Sequence, residues 1–140
     1  MTLIEVERLT PAQQDELFEL FQGEWWTRGR TRADVATLLW HSDVVVGLCE
    51  EDTGRLAAFA RVLHDGARKA FLLDVIVAPA WRRRGIGQQL VDAVAARPEL
   101  AGVAHIDLHC RPELVPFYER FGFTAFPEDL LGMRLERSRV

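Results

Sequence analysis

The strongest constraint on this chain is the junction at residues 74–88, Asp74-Val-Ile-Val-Ala-Pro-Ala-Trp-Arg-Arg-Arg-Gly-Ile-Gly-Gln88. A short apolar run leaves through Pro79 into Arg82-x-x-Gly85-x-Gly87, and Leu90, Val91 and Val94 then recur at helical spacing. That order predicts a strand turning tightly into a helix. Two glycines at the turn let the backbone bend sharply and approach a ligand without interference from a Cβ. The first N–H groups of the helix have no intrahelical partner, and their dipole favours an anion. Arg82, Arg83 and Arg84 add positive charge and donors. Such a turn suits a phosphate group.

The rest of the chain supplies the frame for that turn. Residues 3–9 alternate apolar and polar side chains as a half-buried strand does, and Thr10-Pro11-Ala12-Gln13 opens a helix with a capping box. Thr31 to Asp34 repeats the start signal for a second helix. The segments 44–49 and 56–63 flank a polar turn and read as a hairpin, with a further strand over 70–77. The glycine-led helix should stop at Pro98, residues 104–110 are strand-like, and Pro112 opens a last helix that Gly122 caps. Residues 123–126 and 131–135 supply two final strands. The expected fold is α/β (α+β): one domain over residues 1–140, with a mixed, mostly antiparallel sheet of about six or seven strands and about four helices on both faces.

Composition removes several function classes. A net charge of −4 gives no general electrostatic footprint for nucleic acid, and the three arginines are only a local patch. No apolar run approaches the roughly 20 residues that cross a bilayer, and residues 1–8 lack the layout of a signal peptide, so neither membrane nor export is expected. The two cysteines, Cys49 and Cys110, each sit in an apolar segment. Both read as buried and inert, which suits a reducing cytoplasm. His105, Asp107, His109 and Cys110 match no zinc spacing, so no metal is expected.

Two phosphate-binding patterns fail against the turn. A P-loop needs lysine and a hydroxyl residue after its second glycine, where this chain has Gln88. A dinucleotide fingerprint needs a third glycine and an acidic residue at a set distance. Instead, the strand, the Arg-x-x-Gly-x-Gly turn, the helix and the later Phe117-Tyr118-Glu119-Arg120-Phe121-Gly122-Phe123 together resemble the GNAT acetyltransferase superfamily. The resemblance covers residues 43–126. Residues 74–77 and 108–118 are also similar to glucosamine-6-phosphate N-acetyltransferases, although only Asp74 stands where those enzymes carry an acidic pair.

The resemblance implies acetyl-CoA as co-substrate and direct acetyl transfer to the amine of a small-molecule acceptor. Protein or peptide N-acetylation, or a non-catalytic acyl-CoA-binding module, are the alternatives. It implies that Val75, Ile76 and Val77 lie along the pantetheine arm and that Arg82, Arg83, Arg84, Gly85, Ile86, Gly87 and Gln88 cradle the pyrophosphate. Arg111 stands where many members have an asparagine that touches the arm. A tyrosine at position 118 would protonate the departing thiolate; otherwise Tyr118 is a core aromatic. The architecture also admits a homodimer joined through its last strands.

The residues themselves suggest further roles. Asp74 interrupts an apolar strand, where a charge is costly without a partner, so it serves as base or amine anchor or else as half of a salt bridge. Strand alternation puts it on the face opposite Val75 and Val77 unless a bulge intervenes. His109 is a water-linked base or a structural imidazole, and adjacent Cys110 is expected in the core. Trp25, Trp26, Arg28 and Arg30 form an aromatic and cationic loop on the acceptor side, with one tryptophan expected in the core and one at the cleft. Arg61, inside an apolar strand, is a second candidate for holding an acceptor anion.

Overall fold

The structure, a computed structural model, describes residues 2–138. Its elements run β1 (Leu3–Val6), α1 (Pro11–Gln22), α2 (Arg32–His41), β2 (Val44–Glu50), β3 (Leu56–His64), β4 (Lys69–Val77), α3 (Ile86–Ala95), β5 (His105–Asp107) and α4 (Val115–Glu119). Short 3-10 turns sit at Pro79–Trp81, Pro98–Leu100 and Pro112–Leu114. The chain divides into two units, residues 1–109 and residues 110–140.

In the first unit the five strands lie in the order β1-β2-β3-β4-β5, antiparallel throughout except for the parallel β4–β5 pair. Both N-terminal helices start where their caps dictate. Thr10 Oγ1 accepts from Gln13 N at 3.1 Å while Gln13 Oε1 accepts from Thr10 N at 2.9 Å. Thr31 and Asp34 make the same reciprocal pair. Each such cap is worth about 1 kcal/mol. Gln13 is then buried, its Nε2 donating to Gly54 O at 2.7 Å, so the cap also ties α1 to the β2–β3 turn.

Residues 56–60 and Val62 of β3 are all buried, as expected of a central strand covered on both faces. Leu17 and Phe21 of α1 and Val35 of α2 join Cys49, Phe59 and Ile76 in one core. Ile86, Leu90, Val91 and Val94 form the buried stripe of α3, which packs on β2, β3 and β4 from the other side. Gly47 lets the first layer close: a Cβ there would meet Leu9 and Val6 at 3.0 Å.

The second unit differs from expectation. Its helix begins as a 3-10 turn at Pro112 and becomes α-helical only at Val115, with Pro116 in the first turn where its missing N–H costs nothing. Gly122, at φ 93°, follows and donates to Glu119 O at 3.0 Å. Segments 123–126 and 131–135 form no strand among the described residues, so the sheet has five strands rather than six or seven. The apolar alternation at Leu131, Met133 and Leu135 is real, but all three are exposed, and alternation without a paired backbone makes no sheet. Of the cysteines, Cys49 is buried but Cys110 is exposed, correcting its expected place in the core. Among the described residues, no helix is long and apolar enough to cross a membrane.

Candidate functional site

β4 pairs with β5 only over residues 69–71 and runs on for six residues with no strand on that edge among the described residues. At its end the chain passes the Pro79–Trp81 turn and enters α3 through two left-handed residues, Arg83 at φ 63° and Gly85 at φ 75°. Gly85 is the N-cap of α3 and offers no side chain, leaving the N–H groups of the first helical turn for an outside acceptor. A Cβ on Gly85 would meet nothing within 4 Å, so the space in front of the turn is open.

The three arginines divide their work. Arg82 Nε donates to Val77 O at 3.1 Å and its Nη2 to Glu24 Oε1 at 2.8 Å, so it braces the turn against the α1–α2 loop. Arg84 lies 5.2 Å from the Trp81 ring centroid, a cation–π contact. Arg83 is exposed and has no partner among the described residues. Gln88 is exposed as well, whereas Ile86 and Ile76 are buried, so only their backbone groups are available to a ligand. Val75 and Val77 are half-buried along the free edge.

Asp74 is the centre of the second feature. Arg61 pairs with Leu73 and Phe59 with Ile76, so Ala60 stands opposite an extra residue on β4. Partners across a ladder share a face, and Phe59 and Arg61 are two apart on one strand. Leu73 and Ile76 therefore share a face although they lie three positions apart, an odd spacing. The bulge that sequence parity could only allow for is present, with Asp74 itself at φ 57°. It carries Asp74 to the helix α1–α2 face.

There its carboxylate, with 3% of the side chain exposed, accepts three charge-assisted hydrogen bonds. Arg30 Nη1 reaches Oδ2 at 2.7 Å, Arg30 Nη2 reaches Oδ1 at 3.0 Å, and Arg61 Nε reaches Oδ2 at 2.7 Å. Burial pushes this carboxyl up, but the hydrogen bonds and charges of Arg30 and Arg61 outweigh it and hold the group below its ordinary value. A carboxylate so held is a poor proton acceptor at neutral pH. The geometry is that of the salt-bridge alternative, and it recruits both arginines that the sequence put forward for an acceptor anion. Arg30 also stacks 4.6 Å from the Phe21 ring centroid.

The α1–α2 loop corrects one expectation. Neither tryptophan enters the core: Trp25 is 62% exposed and Trp26 38%. Thr27, 1% exposed, fills that place, and its Oγ1 donates to Phe21 O at 2.7 Å. Its hydroxyl satisfies a buried carbonyl. Arg28 is exposed. His109 lies two residues beyond β5, exposed, with its ring edge-on to Phe71 at 4.8 Å. Sequence reasoning missed Glu24 and Ser42, the second accepting a long 3.5 Å contact from Arg61 Nη1. Only the position of Glu24 in the cationic loop could have signalled its role.

In the second unit, Tyr118 is buried edge-on between Phe117 at 5.0 Å and Phe123 at 5.8 Å. Burial, with a smaller contribution from Cys110, pushes its phenol up to about 12. Arg111 is exposed and caps the turn at Pro112–Leu114.

Residues 7–123 match the sequence family described as the acetyltransferase (GNAT) family. Among curated proteins, the chain is 30% identical over 119 residues to GCN5-related N-acetyltransferase 1, chloroplastic, of Arabidopsis thaliana, covering 85% of this chain and 60% of that protein. It is 36% identical over 103 residues to serotonin N-acetyltransferase 2, chloroplastic, of Oryza sativa subsp. japonica, covering 72% of this chain and 52% of that protein. The chain thus spans a little over half the length of these relatives. Among solved structures, a Xanthomonas campestris protein assigned to the GNAT family superposes with a TM-score of 0.80 at 31% identity, covering 96% of this chain and 94% of that one. The chain belongs to the GNAT acetyltransferase family.

Proposed function

We propose, from that membership, that this chain transfers an acetyl group from acetyl-CoA directly to the amine of a small-molecule acceptor. The observation that carries the reading is the left-handed turn at Arg83 and Gly85, opening the α3 N-terminus beside the unpaired edge of β4. A pyrophosphate suits the turn's free N–H groups and Arg83. An amide-bearing arm suits the strand edge at residues 75–77, which offers backbone donors and acceptors without a partner strand.

In the transfer a C–N bond forms and a C–S bond breaks, the amine nitrogen gives up one proton, and the sulfur takes one. Only a neutral amine attacks. A lysine-like amine with pKa about 10.4 is neutral about one part in two thousand at pH 7, whereas an α-amine near about 7.8 is over a tenth neutral. Asp74, committed to two guanidiniums, acts as a positioning residue. His109, with an exposed ring beyond β5, takes the amine's proton through water.

Tyr118 keeps the role that its place in the Phe117–Phe123 motif implies, with a refinement. A phenol near 12 holds its proton at neutral pH. Its proton would pass uphill to a thiolate whose acid has an ordinary pKa of about 8.5. Tyr118 therefore stabilises the departing sulfur by donating a hydrogen bond rather than by full transfer in advance.

The likeness to a protein named for serotonin supports a small acceptor. Thiol release from acetyl-CoA against amino sugars, polyamines, amino acids and peptides tests the reading. Turnover with small amines is expected. Turnover with peptides alone would make this a protein acetyltransferase, and acetyl-CoA binding without thiol release would make it a binding module.

A further inference from the structure

We propose that Arg30 and Arg61, held in place by Asp74, bind an oxyanion carried by the acceptor, so that the acceptor is an amine bearing a carboxylate or a phosphate. The role of these groups toward an acceptor rests on the acetyl-transfer reading; the anion site itself does not.

The cluster is unbalanced in charge. Two guanidiniums meet one carboxylate, a local charge of +1, and no other carboxylate among the described residues pairs with either. The three side chains are 26%, 13% and 3% exposed for Arg30, Arg61 and Asp74. A salt bridge built only for stability needs one cation, and a second partly buried cation adds desolvation cost without a counter-charge. An arriving anion supplies that counter-charge.

Donor geometry agrees. A guanidinium has five N–H donors. Arg30 gives two to Asp74, and Arg61 gives one, plus the long contact to Ser42. Arg30 Nε and Arg61 Nη2 make no hydrogen bond among the described residues, yet neither is among the nitrogens sealed from solvent without a partner. Both therefore keep contact with solvent and a donor to spare. Asp74 fixes the two planes, and the Phe21 ring supports one of them, which limits the ordering cost of binding.

The position fits as well. Asp74 lies on the stretch of β4 between the end of β5 pairing at Phe71 and the turn at residue 82. Its left-handed backbone, at φ 57°, is a conformation that non-glycine residues keep where the surroundings demand it.

Matched pairs of amines decide the matter: an amino acid against its decarboxylated amine, and an amino-alcohol phosphate against the parent amino alcohol, each assayed by thiol release. In the wild type the oxyanion-bearing member of at least one pair has the lower KM. Arg61→Gln raises that KM about tenfold to about a hundredfold, the loss expected for a charge-assisted hydrogen bond. It leaves the KM values for acetyl-CoA and for the uncharged partner in place. Arg30→Gln does the same, Arg61→Lys recovers part of the loss, and thermal melts show each variant folded. The pair that responds identifies carboxylate or phosphate.

Equal KM values within both pairs would overturn the proposal. So would an Arg61→Gln loss that falls equally on charged and uncharged amines. If no amine releases thiol, the acetyl-transfer reading fails by itself. Calorimetric titration of acetate and of inorganic phosphate into wild type and Arg61→Gln then reads the anion site alone, and equal heats in the two proteins would sink it.

Discussion

Replacing Asp74 with asparagine removes one charge and almost nothing else. The amide has the shape of the carboxylate and, like aspartate, tolerates the left-handed φ of 57°. Backbone strain at the bulge is therefore unchanged. What changes is the cluster: three hydrogen bonds of 2.7, 3.0 and 2.7 Å lose their anionic acceptor, and the amide NH₂ turns a donor toward guanidinium donors. Removing one partner of a buried pair costs about 3–5 kcal/mol. Arg30 and Arg61 keep some solvent at 26% and 13% exposure, so the low end applies, about 3 kcal/mol. That is more than a hundredfold in the folding equilibrium and about 10 °C in melting temperature for a domain of this size.

Urea titration at pH 7 should show the midpoint falling with an unchanged slope. Acid titration gives a second, independent reading. The Asp74 carboxyl lies below its ordinary value of 3.8 in the folded state, so its stabilisation is present above that pH and is lost as pH falls through the folded value. The gap between wild type and Asp74→Asn should stay constant down to pH 3.8 and close below it. A loss under about 1 kcal/mol, the worth of a surface pair, would refute the reasoning. A gap that persists unchanged in acid would do the same.

Two further outcomes test the rest of the site. Tyr118 holds its proton up to about 12, so wild-type turnover should show no falling limb from this group until pH passes 10, and Tyr118→Phe should cost about a hundredfold or more in turnover with the KM for acetyl-CoA preserved; an unchanged rate would remove Tyr118 from the chemistry. Gly85→Ala meets no atom within 4 Å, so its cost is conformational, about 1 kcal/mol for a left-handed residue, together with weaker acetyl-CoA binding, while Gly85→Asn should recover part of both; an alanine variant equal to wild type in melting and binding would contradict the turn's assignment.

Local chemistry was readable from the residues alone. The caps at Thr10 and Thr31, the helix entry at Gly85 and the stripe of Leu90, Val91 and Val94 depend on neighbours within a turn or two of chain, so spacing reveals them. The features that escaped depend on distant partners. Asp74 could be flagged as a charge needing company, but its choice of Arg30 and Arg61 follows from the bulge and from the loop after α1. Thr27 took the buried place expected for a tryptophan, and its hydroxyl answers the carbonyl of Phe21 six residues back in the chain. Residues 131–135 carry a strand-like pattern, yet pairing requires a second backbone that their own pattern cannot name.

The extra residue in β4 also makes that strand two lengths of opposite phase in series. Up to Leu73, odd-numbered side chains face α1 and α2; from Val75 onward, even-numbered ones do. Flattening the bulge at unchanged length would restore uniform alternation and turn Ile76 out of the core that it shares with Phe59. It would also reverse Val75 and Val77 and rotate the exit toward Arg83 and Gly85. The heading on which the strand delivers the chain to its anion-facing turn is thus set by a count of one, the single extra residue that the bulge absorbs.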